Sequence, residues 1–240
     1  MDKKRILFIN PLGDDPELED KISIYLNDRR NPEYAPVEVA GLGEAPHNLE
    51  YFTYLAFVDA DIVRVIKQAE LDGYDAAIIG CFCDPAIDAA KEVCNKMVVV
   101  GVMEAAVHLA SYLAPKFSII AARRRSVADF QANLDKYGLS SRLASFRSLD
   151  ICVEDLQCDG SATHTRMCDE IVQAVEKDGA EAIILGCTLQ MGHYAELQRQ
   201  FAVPVIDVQL AGLLLAEQLI AARDRYGWYT SKICSYAAPP

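Results

Sequence analysis

Asp75-Ala-Ala-Ile-Ile-Gly80-Cys81 and Glu181-Ala-Ile-Ile-Leu-Gly186-Cys187 are two versions of one pattern, set 106 residues apart. Each starts on an acidic residue, runs through four apolar positions and stops on Gly-Cys. A short apolar run of this kind reads as a strand buried on both faces, as in a parallel sheet. Sliding 64–106 over 170–212 needs no gap and returns 11 identities in 43 positions. Glu70/Glu176, Asp72/Asp178, Gly73/Gly179, Gly80/Gly186, Cys81/Cys187 and Val102/Val208 are among them. The two cysteines therefore fall on the same structural position twice.

Working outward, β-branched runs at 5–10, 37–42, 76–80 and 98–102 read as strands, and a second set follows at 117–121, 142–147, 182–186 and 204–208. Between them, 61–71 and 167–177 carry apolar residues at spacings of three and four, and each ends before a glycine suited to a helix C-cap. Alternating strands and helices are the signature of βαβ units. The expectation is an α/β protein of two doubly wound half-domains related by a pseudo-twofold. Each half holds a four-stranded parallel sheet, with the active site in the cleft between them. The boundaries expected are 1–103 plus 208–240 for the first half and 104–207 for the second. The final helix, 209–223, is the counterpart of 103–113 and is expected to pack back on the first half.

Composition narrows the function classes. At 240 residues and 52% hydrophobic content the chain has enough apolar material for two cores. Its 35 acidic and 23 basic residues give a net charge of −12, which repels nucleic acid and anionic lipid. No run has the length of a membrane span or a signal-peptide core, so the expected location is cytoplasmic, with no nucleic-acid or membrane partner. In that reducing setting the eight cysteines are read as buried hydrophobes, ligands or catalysts rather than disulfides.

In open parallel sheets, ligands bind beyond the carboxyl ends of the strands, where both Gly-Cys pairs stand. Asp84 and Pro85 read as the N-cap and first residue of a helix, whose N-terminus would favour a thiolate at Cys81. Taken singly, either cysteine would be a small core residue. Recurrence at equivalent strand ends argues instead for shared chemistry, against the competing account of a duplication kept for packing. Cys81-x-Cys83 is too tight for the usual zinc spacing, and no second pair completes a metal site. His47, His108, His164 and His193 have no partner spacing and read as structural or exposed, and the six other cysteines read as bystanders.

The ordered motifs Ile9-Asn10-Pro11, Gly80-Cys81-Phe82-x-Asp84-Pro85, Val100-Gly101-Val102-x-Glu104-Ala105-Ala106 and Leu185-Gly186-Cys187 resemble the hydantoin and allantoin racemase branch of the aspartate/glutamate/hydantoin racemase superfamily. Tyr137-Gly138-Leu139, Arg147 to Ile151 and the tail Thr230-Ser231-Lys232 fit the same branch. The resemblance implies paired catalytic cysteines, Cys81 and Cys187, acting on a small molecule without pyridoxal phosphate, other cofactor or metal, in a homo-oligomer. Asn10, Phe82, Ser118 and Thr188 are the candidate substrate contacts, with ordinary capping or turn hydrogen bonds as the competing reading of the polar three. The chain departs from the branch at Leu12-Gly13, Ala121-Ala122 and Thr188-Leu189-Gln190-Met191, which leaves the ligand open. The activity expected is cofactor-independent racemisation of a 5-substituted hydantoin or related cyclic ureide. The alternatives are an aspartate/glutamate-type racemase or maleate-type cis–trans isomerase, and, from another class, a small-molecule-binding or thiol redox-sensing protein.

Overall fold

The computed structural model describes residues 3–238. In chain order its regular elements are β1 (Ile6–Ile9), α1 (Pro16–Asn27), β2 (Glu38–Ala40), α2 (Phe52–Leu71), β3 (Ala76–Ile79), α3 (Ile87–Val93), β4 (Val98–Gly101) and α4 (Val102–Leu113). They continue with β5 (Phe117–Ala121), α5 (Val127–Lys136), β6 (Leu143–Ser148), α6 (Gly160–Glu176), β7 (Ala182–Leu185), α7 (Tyr194–Gln200), β8 (Val205–Asp207) and α8 (Val208–Tyr226). Each of the eight expected strand segments overlaps an observed strand, and the chain is α/β.

Two four-stranded sheets result, in the orders β2-β1-β3-β4 and β6-β5-β7-β8. Every pairing is parallel. The order is the same in both, so the duplication seen from residue 64 onward extends to the whole of each half. β1, β3, β4, β5, β7 and β8 are buried along their full length, as expected of strands covered on both faces. The chain divides into two compact units: one runs to Val102 and resumes at Gly212, and the other is Met103–Ala211.

The first unit packs α2 and α3 on its sheet through Val58, Ile62, Ile66, Ile87 and Ala90 around Ile9, Ala77 and Ile79. In the second, Met167, Ile171 and Ala174 of α6 and Leu197 of α7 pack around Ile120, Ile183 and Leu185. Local chemistry sets the helix ends. Pro16 stands at the start of α1, and Asp15 accepts the Leu18 N–H at 3.1 Å. Asp159 does the same for Ala162 at 3.0 Å on α6. Gly73 and Gly179 follow α2 and α6 at φ +80° and +75°, a left-handed turn that glycine adopts without strain. α2 and α6 begin earlier than their apolar periodicity indicates, at Phe52 and Gly160. The added turns carry residues such as Phe52 and Phe57, 64% and 63% exposed, which an inward-facing stripe does not include.

An ion-pair group braces each sheet, in the first unit at the amino ends of its strands. Asp75, at the entry to β3, accepts the Arg5 N–H at 3.0 Å and pairs with Arg223 at 2.6 Å, tying the end of α8 to the first unit. In the second unit Arg147 donates through Nε and Nη2 to the two carboxylate oxygens of Asp178, at 2.6 and 2.7 Å. The Arg147 hydrogen bond holds the Asp178 carboxyl below the usual carboxylate range.

Candidate active site

The carboxyl ends of β1, β3 and β4 come level at Ile9, Ile79 and Gly101, and those of β5, β7 and β8 at Ile120, Leu185 and Asp207. Cys81 and Cys187 each stand two residues past the end of their central strand. Gly80 donates its N–H to the Ile9 carbonyl at 2.8 Å, and Gly186 donates to Ile120 at 2.9 Å, so each central strand gains one more ladder bond before turning. A Cβ on Gly80 would lie 2.7 Å from the Ile9 carbonyl oxygen and closer still to the Phe8 ring. On Gly186 it would lie 2.8 Å from the Ile119 Cγ2. Glycine is therefore demanded by close approach at both sites, and the Gly-Cys pair is a steric unit.

Both thiols then sit on the same turn. The Cys81 carbonyl accepts the Asp84 N–H at 2.9 Å, and the Cys187 carbonyl accepts the Gln190 N–H at 3.0 Å. In each case the third residue after the cysteine turns its side chain inward: Asp84 is 3% exposed and Gln190 0%. Gln190 donates through Nε2 to the Ile120 carbonyl at 3.2 Å. Gln209, also fully buried, donates to the Thr188 carbonyl at 2.8 Å from the first turn of α8. Both cysteines are half-buried.

The helix expected to start at Pro85 starts instead at Ile87, preceded by Asp84 and Ala86 at φ +45° and +55°. The reason is the inward course of Asp84, whose carboxyl is taken up at the end of β4 and does not cap α3. Cys81 thus lies six residues ahead of a helix of only seven, not at the cap position expected.

Asn10 follows β1 directly; its side chain is buried, and Nδ2 has no hydrogen-bond partner among the described residues. A buried amide donor without a partner is costly unless water or a ligand meets it. Thr188 is half-buried and opens a short 3-10 turn, Thr188–Gln190. Phe82 is 3% exposed and packs inward. Ser118 sits at the second position of β5, away from the carboxyl edge, with its hydroxyl 2.8 Å from that of Ser145. Phe82 and Ser118 are thereby committed to the interior. The residues that sequence reasoning missed are Gln190 and Gln209, whose Oε1 atoms are buried with no partner among the described residues. In sequence only Gln190 stands beside a cysteine turn, while Gln209 lies on α8, and only burial gives either of them weight.

Of the remaining thiols, Cys83 and Cys168 are half-buried like these two, and the other four differ. Cys94 is 2% exposed, and burial pushes its pKa up to about 12. Cys152, Cys158 and Cys234 are exposed, and all eight are unbridged. Among the described residues no group of three or more His, Cys, Asp or Glu is placed to hold a metal ion, and no helix is long and apolar enough to cross a membrane.

A family model described as Asp/Glu/Hydantoin racemase matches residues 6–216. The chain belongs to this family. As a member of the racemase family it is 36% identical over 199 residues to a hydantoin racemase of Pseudomonas sp. (strain NS671), covering 82% of this chain and 77% of that one. A hydantoin racemase of Rhizobium meliloti is 38% identical over 174 residues, 72% and 70% of the two chains. Among solved structures, an allantoin racemase from Klebsiella pneumoniae superposes with a TM-score of 0.91 at 27% identity, over 99% of this chain and 94% of that one. The protein is accordingly a racemase-type isomerase.

In this racemase the turn after Cys187 runs into His193, which is not the isolated side chain its spacing suggests. The His193 and His164 rings stack with centroids 5.6 Å apart, their Nδ1 atoms at 3.4 Å. Burial, then the neighbouring His164, hold His193 below its ordinary value, against an opposing pull from Glu196. The unfolded chain takes up a proton near pH 6.5, where the folded chain resists it. The stability from neutral His193 is therefore present above about pH 6.5 and lost as pH falls toward the folded pKa. Melting temperature is expected to fall between pH 7 and 5, and to fall less in His193→Gln. Parallel pH curves for the two proteins would contradict this.

Proposed function

We propose that the protein racemises a 5-substituted hydantoin or a related cyclic ureide by two-base proton transfer between Cys81 and Cys187, with no cofactor. The observation that carries this reading is the repeated cysteine turn. Two half-buried thiols stand at the carboxyl edges of two equivalent sheets, each on a Gly-Cys turn closed by the same backbone hydrogen bond. Identities of 36–38% to hydantoin racemases support the substrate class.

In the proposed cycle one cysteine, as thiolate, removes the proton on the carbon α to the ring carbonyl, and the electron pair moves onto that carbonyl oxygen as an enolate. The other cysteine, as thiol, returns a proton to the opposite face, and the two exchange roles for the other enantiomer. The ring supplies its own electron sink. Thiols suit the task because their ordinary pKa, about 8.5, lies near working pH. Asn10 Nδ2 and the partly exposed Thr188 are the polar groups proposed to meet the ring or its ordered water. A free amino-acid substrate fits less well. Its carboxylate would need a cationic partner, and in the run Arg123-Arg124-Arg125 two of the three are turned to other uses: Arg124, 83% exposed at its side chain, faces Asp150, and Arg123 donates to the Cys152 sulfur at 3.2 Å.

The test is proton NMR in deuterium oxide with polarimetry, on single enantiomers of 5-substituted hydantoins, allantoin, aspartate and glutamate. Loss of the α-proton signal together with optical rotation on a hydantoin or allantoin is the expected result. Exchange confined to aspartate or glutamate would overturn the substrate class. Silence across the panel would overturn the assignment to these substrates.

A further inference from the structure

We infer that Asp84 and Asp207 are equivalent positioning residues, one carboxylate per half, filling the same N-cap place beside the cysteine turn from different points in the chain. In the 106-residue repeat Asp84 corresponds to Gln190 and Gly101 to Asp207. The carboxylate and the position without it are thus exchanged between the halves. In the second unit Asp207 ends β8 and accepts the N–H groups of Gln209 and Leu210 at 2.9 and 3.1 Å, capping α8 with its own side chain. In the first unit the residue before α4 is Gly101, which has no side chain to cap with. A Cβ on Gly101 would stand 2.6 Å from both carboxylate oxygens of Asp84. The Asp84 carboxyl therefore occupies the space that the Asp207 side chain occupies in the other half.

Burial and backbone strain agree with this assignment. Asp84 and Asp207 are 3% and 5% exposed, among the few buried polar side chains of the chain. Asp84 and Ala86, on either side of Pro85, both take left-handed conformations. Such conformations are uncommon for non-glycine residues and persist only where the surroundings impose them; Asp tolerates them better than most. The strained loop is what carries the carboxyl inward, and the Asp84 N–H to Cys81 carbonyl bond transmits that anchoring to the turn bearing the thiol. In the other half Asp207 acts through Gln209, whose side chain holds the Thr188 carbonyl. Neither carboxylate is assigned contact with substrate; each fixes where its thiol stands.

The inference rests on the proposed thiol chemistry for its meaning but is tested without it. The intact protein is treated with iodoacetamide, and alkylation of Cys81 relative to Cys187 is followed by mass spectrometry, with melting temperature and, separately, turnover of a hydantoin. Asp84→Ala is expected to change the Cys81 to Cys187 ratio by about fivefold or more, the size of a typical lost N-cap interaction, with Cys187 itself unaltered. Gly101→Asp alone puts two carboxylates in one space and is expected to melt far below wild type. The double variant Asp84→Gln with Gly101→Asp rebuilds the second unit's arrangement in the first, and is expected to recover the melting temperature and alkylation ratio to within about twofold of wild type. Recovery is the result a merely space-filling role would not produce. A double variant that melts no higher than Gly101→Asp, or a folded Asp84→Ala with a wild-type ratio, would overturn the inference. Failure of the wild type to turn over any hydantoin would count against the proposed function and leave these two readouts intact.

Discussion

Cys81→Ala and Cys187→Ala are each expected to abolish racemisation in both directions, by about 10²–10⁴-fold, the range that a positioned acid or base supplies. Both cysteines are half-buried at the edge of a core, so neither change opens a large cavity, and melting is expected to stay within a few degrees of wild type. The two-base scheme predicts more than loss. With Cys187 gone, Cys81 remains able to remove a proton from the enantiomer that faces it and to return deuterium to the same face. One enantiomer is then expected to lose its α-proton signal in deuterium oxide without losing optical rotation, and the other to be inert. The preference reverses in Cys81→Ala. Full racemisation by Cys187→Ala would remove the second base from the mechanism; exchange of both enantiomers by either single variant would point to one base serving both faces.

Among glycine-to-alanine changes at the two cysteine turns, the largest expected effect on stability is at Gly80. Replacing a glycine by alanine at an unstrained φ usually stabilises by about 0.4–1 kcal/mol, because the unfolded chain loses freedom. Gly80 is not in a left-handed conformation, so that gain applies. Against it stands a Cβ pressed into the Phe8 ring and 2.7 Å from the Ile9 carbonyl oxygen, in a region where Ile6, Phe8 and Ile9 are each 0% exposed. Overpacking a core of this kind costs about 1–3 kcal/mol and sometimes more, and backbone cannot swing aside as a side-chain end does. Overpacking wins, so Gly80→Ala is expected to be destabilised by about 2 kcal/mol, or roughly 4–8 °C in a chain of this length. Gly186→Ala meets the Ile119 Cγ2 first, at 2.8 Å, and the Ile120 carbonyl at 3.1 Å, so it is expected to lose less. Thermal or urea unfolding of the pair gives the ranking. Gly80→Ala as stable as wild type would show that the Phe8 ring has room to move.

The order of these two costs reflects how different kinds of information are held in the chain. Each copy of the Gly-Cys motif is contiguous, so its position at a strand end was legible from an apolar run and a stop. The strands and the α/β class were legible for the same reason, since β-branched runs and helical spacing act over a few residues. Asp84 shows where that ceases to work. Read locally, Asp84-Pro85 is a helix start; in the fold its carboxyl is drawn to Gly101 across the intervening α3, and the helix begins at Ile87. Ser118 has the residue type of a ligand contact, but its partner is Ser145 on the neighbouring strand. His164 and His193 have no shared spacing, yet they stack because α6 and the loop before α7 meet.

By itself, then, the sequence determined the duplication, the eight strands, the parallel α/β architecture, the two cysteine turns and the family, all of which rest on contiguous patterns or on repetition at constant offset. Only the tertiary structure decided which side chains serve those turns: the inward Asp84, the buried Gln190 and Gln209, the buried donor of Asn10 and the stacked histidines. The physical reason is that a side chain's final partner is set by strand register and helix packing between residues far apart in the chain. Those long-range terms override a local preference worth about 1 kcal/mol, such as an N-cap.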